Sequence, residues 1–241
     1  MVVLQPLLPL GRRGERELRK ARRHSPAHAS VAHTVAGAGE WTEYYDENED
    51  RAPREMLLDV LDAFGGDAHE AVDLGCGSGI ETLAMLERGW SVSAIDAEEE
   101  AIRRVRKRVP SNLAPRLSTL VSRMEEVELP PTDLVWAGFS LFFCHPDRFD
   151  EVWQRVRGAI RPTGRFAGEL LGDRDTWAPE EDTSAFTIDQ ARALFDGFEL
   201  ERFEEEEEDG EACSGPKHWH VFHAVARRPQ HSTELQSPAT K

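Results

Sequence analysis

The sequence predicts an α/β protein built on a mostly parallel sheet with helices on both faces. Three observations carry that expectation. From residue 53 onward, short apolar runs alternate with stretches of helical periodicity. The first run is joined to the next helix by Gly75-Cys76-Gly77-Ser78-Gly79. The last two runs follow one another with no helix between them, so they pair antiparallel or stand apart.

Pro53 opens a helix through about Phe64, with Met56, Leu57, Val60, Leu61 and Phe64 at helical spacing and Gly65-Gly66 as its stop. Strand one is Ala71-Val72-Asp73-Leu74, and its helix runs from about Ile80 to Glu87, stopped by Gly89. Strand two, Ser91 to Ile95, ends at Asp96. The helix from Glu98 to about Arg108 has glutamates in its first turn and Arg/Lys in its last, which complements the helix dipole. Strand three is Leu117–Ser122, strand four Asp133–Ala137, and a helix runs from about Arg148 to Ile160. Arg161-Pro162-Thr163-Gly164 reads as a turn before strand five, Arg165–Leu171. Thr187-Ile188-Asp189-Gln190 is a capping box on a short helix ending near Gly197. The closing pair is Phe198–Glu207 and Trp219–Arg227, and the Glu204–Glu208 run suits the solvated end of an edge strand.

The 241 residues suffice for one large domain or two small ones. A net charge of −16 disfavours tight binding to a nucleic-acid backbone, which relies on Lys and Arg. No apolar stretch approaches the roughly 18 to 20 residues of a membrane helix. Three cysteines without paired or metal-type spacing suggest a reducing, cytoplasmic setting. Residues 1–40 are basic, with seven Lys and Arg against three glutamates, and are expected to be a disordered extension; their apolar opening precedes the arginines, the wrong order for an export signal. The tail over 229–241 is polar and expected to be disordered as well, which leaves 41–228 as the folded domain.

Glycines at 75, 77 and 79 let backbone N–H groups approach a ligand closely, and the helix that follows turns its positive end toward an anion. Asp73 adds a negative charge beside these donors. A ligand with both a carboxylate and a cationic amine suits such a site better than a pyrophosphate; S-adenosylmethionine (SAM) is one. The dinucleotide fingerprint wants a third glycine where this chain has Ile80, which disfavours a nicotinamide-dependent oxidoreductase. Asp96, followed by Ala97, stands at the end of strand two, where a carboxylate accepts ribose hydroxyls or caps the next helix. Met124-Glu125 follows strand three, where a loop passes over an adenine. Gly138-Phe139-Ser140-Leu141 ends strand four beside the expected sulfonium. His145 and Glu169 are candidate general bases, although each has a structural alternative. His218, His220 and His223 do not share one strand face, so no metal site is expected. Trp41-Thr42-Glu43-Tyr44-Tyr45 either covers the ligand, with Tyr44 or Tyr45 facing it, or staples the first helix, and Arg51 is placed to meet a ligand carboxylate.

Val72-Asp73-Leu74-Gly75-Cys76-Gly77-Ser78-Gly79, the acid at Asp96 and the final hairpin together resemble the class I SAM-dependent methyltransferases over about residues 41 to 228. The Trp41-Thr42-Glu43-Tyr44-Tyr45 opening and Lys217-His218-Trp219-His220 are similar to bacterial proteins grouped with tellurite-resistance-type methyltransferases. The resemblance implies a Rossmann-like sheet of seven strands ending in an antiparallel hairpin, with SAM as methyl donor. Carried over by position, it implies that Gly75, Cys76, Gly77 and Gly79 cradle the methionine part, that Asp96 and Ala97 hold the ribose and that Met124 and Glu125 flank the adenine, with Phe139 and Ser140 near the methyl group. The chain lacks the Asp/Asn-Pro-Pro-aromatic motif of adenine-N6 enzymes and the Pro-Cys nucleophile of cytosine-C5 enzymes, so a small-molecule acceptor is expected rather than a DNA base. A SAM-binding regulator without turnover is the alternative. The sequence leaves the oligomeric state open.

Overall fold

A computed structural model of the chain describes residues 40–65, 69–212 and 215–230. The expectations for residues 1–39 and 231–241 lie outside these. The elements in order are α1 (Glu40–Glu47), α2 (Glu55–Asp62), β1 (Glu70–Leu74), α3 (Ile80–Glu87), β2 (Ser91–Asp96), α4 (Glu99–Arg108), β3 (Leu117–Val121), β4 (Thr132–Ala137), α5 (Pro146–Ala159), β5 (Ile160–Gly172), β6 (Ala185–Phe186), α6 (Ile188–Ala193), β7 (Glu199–Ala212) and β8 (Gly215–Arg227). The sheet runs β3-β2-β1-β4-β5-β8-β7, with the two-residue β6 beside β5 as an eighth strand. β1 to β5 are parallel; β8 is antiparallel to both β5 and β7. This is the Rossmann-like sheet with the hairpin ending, plus one short extra strand.

Both faces of the central strands are covered, so their residues are apolar on both sides, as parallel strands require. Ala71, Leu134 and Trp136 join Met56, Leu57, Met85, Ile102 and Val105 in one core. Their strand neighbours Val72, Leu74, Val135 and Ala137 join Phe149, Trp153, Phe166 and Phe222 in the other. The chain leaves β1 for β2 and β3 on one side and β4 and β5 on the other. That reversal opens a crevice at the carboxyl ends of β1 and β4.

Several boundaries shift for local reasons. α2 starts at Glu55 because Arg54 is extended and gives its N–H to Glu81 Oε1 (3.3 Å). α5 starts two residues early, at Pro146, behind a cap at His145. Arg161-Pro162-Thr163-Gly164 is an irregularity within β5: the register shifts between Thr132 and Leu134, and Thr163 adopts φ +70°. The sequence also gave no warning of residues 173–184, which fold between β5 and β6. Asp175 anchors them, accepting from the N–H of Trp177 (2.9 Å) and of His220 (3.0 Å) and pairing with buried Lys217. Ser184 closes the segment onto Phe142 O and Cys144 O.

Gly79 caps α3 at φ +83°, and a Cβ there would stand 2.8 Å from Val105 Cγ2 and 3.2 Å from Val105 Cα. Gly79→Ala therefore combines backbone strain with a clash against a backbone atom, and urea unfolding should show a loss of about 1–3 kcal/mol. Adding Val105→Ala should recover only the side-chain part.

Candidate functional site

The crevice is a cavity of about 480 Å³ at the carboxyl ends of β1, β2 and β4, walled on one side by α1. Its floor is the glycine turn. The N–H groups of Gly75 and Cys76 donate to Ile95 O (2.8 and 3.0 Å), and that of Gly77 donates to Asp96 Oδ2 (2.8 Å). Gly75 has φ +76°, and a Cβ on it would lie 2.3 Å from Ser140 Cβ, so the end of β4 packs directly on the turn. Ser140 Oγ in turn donates to Leu74 O.

Two buried acids flank this turn. Asp73 accepts from Thr82 Oγ1 (2.5 Å), yet burial pushes its carboxyl up to about 7. Burial likewise pushes Asp96 up to about 6, against the bonds it accepts from the N–H groups of Glu98 (2.9 Å) and Gly77. Asp96 therefore caps the approach to α4, and each of its oxygens keeps a further acceptor site. The thiol of Cys76 is also held protonated, by burial first and by Asp96 and Asp73 next, so it is no nucleophile at neutral pH.

Arg51 forms a two-pronged pair with Glu81 (2.6 and 2.7 Å) that docks residues 48–54 on α3. Burial would raise the Glu81 carboxyl, but this pair holds it below its ordinary value. Arg51 Nε is buried and without a hydrogen-bond partner. Tyr45 is 2 % exposed, and a Cβ on Gly77 would meet its ring at 3.5 Å. Burial and then Asp96 push its hydroxyl well above the ordinary range. Arg155 holds the β3–β4 connection in place through Glu125 O and Val127 O (2.8 Å each).

Of the residues expected at the site, all but Gly79, Leu141 and Glu169 line this cavity, Leu141 being buried in the core instead. Gly79 faces α4 instead, where its missing side chain permits the close approach described above. Glu169 is 1 % exposed and lies behind the wall, accepting from the N–H of Phe139 (3.0 Å). Phe139 has φ +53°, a conformation that costs a non-glycine residue about 1–2 kcal/mol, and the Glu169 bond holds it there. His145 does reach the cavity, but its Nδ1 caps α5 by accepting from the N–H of Asp147 (3.1 Å). In the neutral ring the proton is then on Nε2, which makes that nitrogen a donor rather than a base. His218, His220 and His223 each face acidic partners. A group of Glu205, Glu207 and His220 has metal-like spacing, but Arg174 occupies the two glutamates at 2.7 Å each.

Sequence reading missed Arg54, Asn48, Arg123 and Asp182 on the lining. The last comes from the 173–184 segment, which has no periodicity to reveal it. Arg54 follows Pro53 and read simply as a first-turn residue.

Fold and site together define a doubly wound sheet with a cavity at its switch point, floored by a glycine turn and flanked by two buried acids. A family model described as a methyltransferase domain matches residues 71–164. Among curated relatives, the chain is 29% identical over 150 residues to a trans-aconitate 2-methyltransferase of Rhizobium leguminosarum, covering 60% of this chain and 54% of that one. It is 32% identical over 94 residues to a probable ribosomal RNA small subunit methyltransferase A of Methanospirillum hungatei, covering 39% and 36%. The matches thus span about half or less of these relatives' lengths. Among solved structures, TehB from Haemophilus influenzae superposes with a TM-score of 0.63 at 14% identity, covering 78% of this chain and 67% of that one. A Burkholderia thailandensis 1,6-didemethyltoxoflavin-N1-methyltransferase with bound 1,6-didemethyltoxoflavin and S-adenosylhomocysteine does so at 0.58 and 19%, covering 83% and 94%. Residues 71–164 thus resemble a methyltransferase domain, and the fold is shared with these solved methyltransferase structures.

Behind the wall, His223 from β8 sits between Glu169 of β5 (3.4 Å) and Glu206 of β7 (3.2 Å). Burial would lower its pKa, but the hydrogen bonds and charges of these two acids raise it to about 9. A histidine raised in the folded state contributes stability that is complete below pH 6.5 and is lost as pH rises through 9. Urea titrations from pH 7 to 9 should show stability falling in the native protein and a flatter profile in His223→Gln.

Proposed function

We propose that this protein is an enzyme that transfers a methyl group from SAM to a small-molecule acceptor. The observation that carries this reading is the pair of buried acids, Asp73 and Asp96, flanking a glycine-rich turn whose main chain lines the cavity. The donor set fits the cofactor. Asp73 suits the cationic amine, and Asp96 with Ala97 suits the ribose hydroxyls. Gly75, Cys76 and Gly77 receive the amino-acid part, with the Arg51 charge beside them to favour its carboxylate. Met124 and Glu125 bound the adenine end, and Tyr45 covers the turn. Gly79 acts indirectly, by fixing α3.

When bound, the cofactor supplies an already activated methyl group. The protein's task is then alignment of the acceptor and exclusion of water, worth several kcal/mol in such reactions. Phe139 and Ser140, fixed at the end of β4, form the wall beside the transfer path. Neither His145 nor Glu169 is assigned a proton: the first is engaged as a helix cap and the second is walled off. An acceptor that arrives deprotonated needs neither. Enclosure on several sides and the net charge of −16 favour a small acceptor over a polynucleotide.

Calorimetry with SAM, S-adenosylhomocysteine and NADH tests the cofactor, and preferential NADH binding would overturn the reading. Asp96→Asn should weaken SAM binding by about 1–3 kcal/mol, or roughly 5- to 150-fold. Because Asp73 and Asp96 are raised acids that must be ionised to hold the amine and ribose, SAM affinity should fall as pH drops from about 7.5 to 5.5. Asp73→Asn should reduce that dependence. Release of S-adenosylhomocysteine across an acceptor panel distinguishes an enzyme from a SAM-binding regulator.

A further inference from the structure

Three arginines line the cavity, and two of them are engaged. Arg51 is paired with Glu81, and Arg123, 62% exposed, lies 3.5 Å from Glu125. The third, Arg54, has no carboxylate at ion-pair distance among the described residues, although its charge adds to that of Arg51 on Glu81. Its guanidinium is stacked 4.2 Å above the ring of Phe139. Stacking consumes the face of a guanidinium and leaves its N–H edge free, the edge that matches a carboxylate in two-point fashion. Its platform is pre-set, because Phe139 is held in its left-handed conformation by Glu169, which is itself paired with His223. A rigid support of this kind lowers the ordering cost of capturing a ligand.

The surfaces nearby are flat and apolar. Phe142 and Phe143 lie 4.5 Å apart, and Trp41 meets Phe143 edge-on at 5.4 Å. Asp182 is the acid that the 173–184 segment adds to this lining, and it disfavours a second negative charge on the bound molecule.

We propose that the acceptor is a monocarboxylate with a flat apolar body, its carboxylate read by Arg54 above Phe139 and its body held by the Trp41–Phe142–Phe143 wall. The proposal rests on the reading of the cavity as a joint cofactor and acceptor site, and it makes Arg54 a specificity residue of that site.

The test uses the protein saturated with S-adenosylhomocysteine, titrated calorimetrically with benzoate, phenylacetate and cinnamate, each against its amide. At least one acid should bind about tenfold or more tightly than its amide. Arg54→Gln should erase that preference while leaving S-adenosylhomocysteine affinity within about twofold, which also verifies folding. Amides binding as well as all three acids would overturn the proposal, as would a preference that survives Arg54→Gln. It would also fall if Arg54→Gln weakened S-adenosylhomocysteine but not 5′-methylthioadenosine, which lacks the carboxylate, because Arg54 would then serve the cofactor. Failure of S-adenosylhomocysteine to bind the native protein would instead remove the underlying cofactor reading, before any acid is added.

Discussion

The hydrogen bond from the N–H of Gly77 to the Asp96 carboxylate ties the turn after β1 to the end of β2, and the rest of the site is arranged around it. With the bonds from Gly75 and Cys76 to Ile95 O, it holds the backbone in a shape that only residues without side chains allow at 75. The end of β4 then closes on the turn from the other side through Ser140. Two neighbouring strands and the strand across the switch point are thereby locked to one short loop. The floor of the cavity is thus preformed by main-chain geometry.

The same arrangement carries an electrostatic cost. Asp73 and Asp96 are buried within reach of one another's field, and burial favours their neutral forms. Backbone donors and the Thr82 hydroxyl offset only part of that penalty. A cationic ligand group placed between them restores the charged forms, so the free protein stores a preference for such a ligand. Glu81 is the contrast: equally buried, it is kept ionised by Arg51, and its charge adds to the pressure that raises Asp73.

How much of this was legible in the sequence depended on whether the signal was local. The turn, the acids at Asp73 and Asp96 and the position of Met124-Glu125 follow from a strand, a turn and a helix in succession, and the fold places them together. Glu169 was harder. Strand periodicity says that its side chain alternates with its neighbours, but β5 is buried on both faces, so the pattern does not say which face meets the cavity. Gly79 was read as part of a ligand cradle, although its constraint comes from Val105, 26 positions later in the chain. Arg54 and Asp182 gave no signal, since one follows a proline and the other lies in a segment without periodicity. Their importance exists only in the assembled wall.

The wall contributed by α1 has its own consequence. This helix and the residues just after it meet α4 through arginines: Arg104 pairs with Asp46 at 2.7 Å, and Arg108 donates to Glu49 O (3.1 Å) while also holding Ser78 O of the glycine turn (2.9 Å). Asp46 and Glu49 are exposed, so dissolved ions compete for these latches far more than for the interior of the sheet. The hold of α1 on its neighbours therefore weakens as ionic strength rises, while the sheet that shapes the crevice is insulated from it.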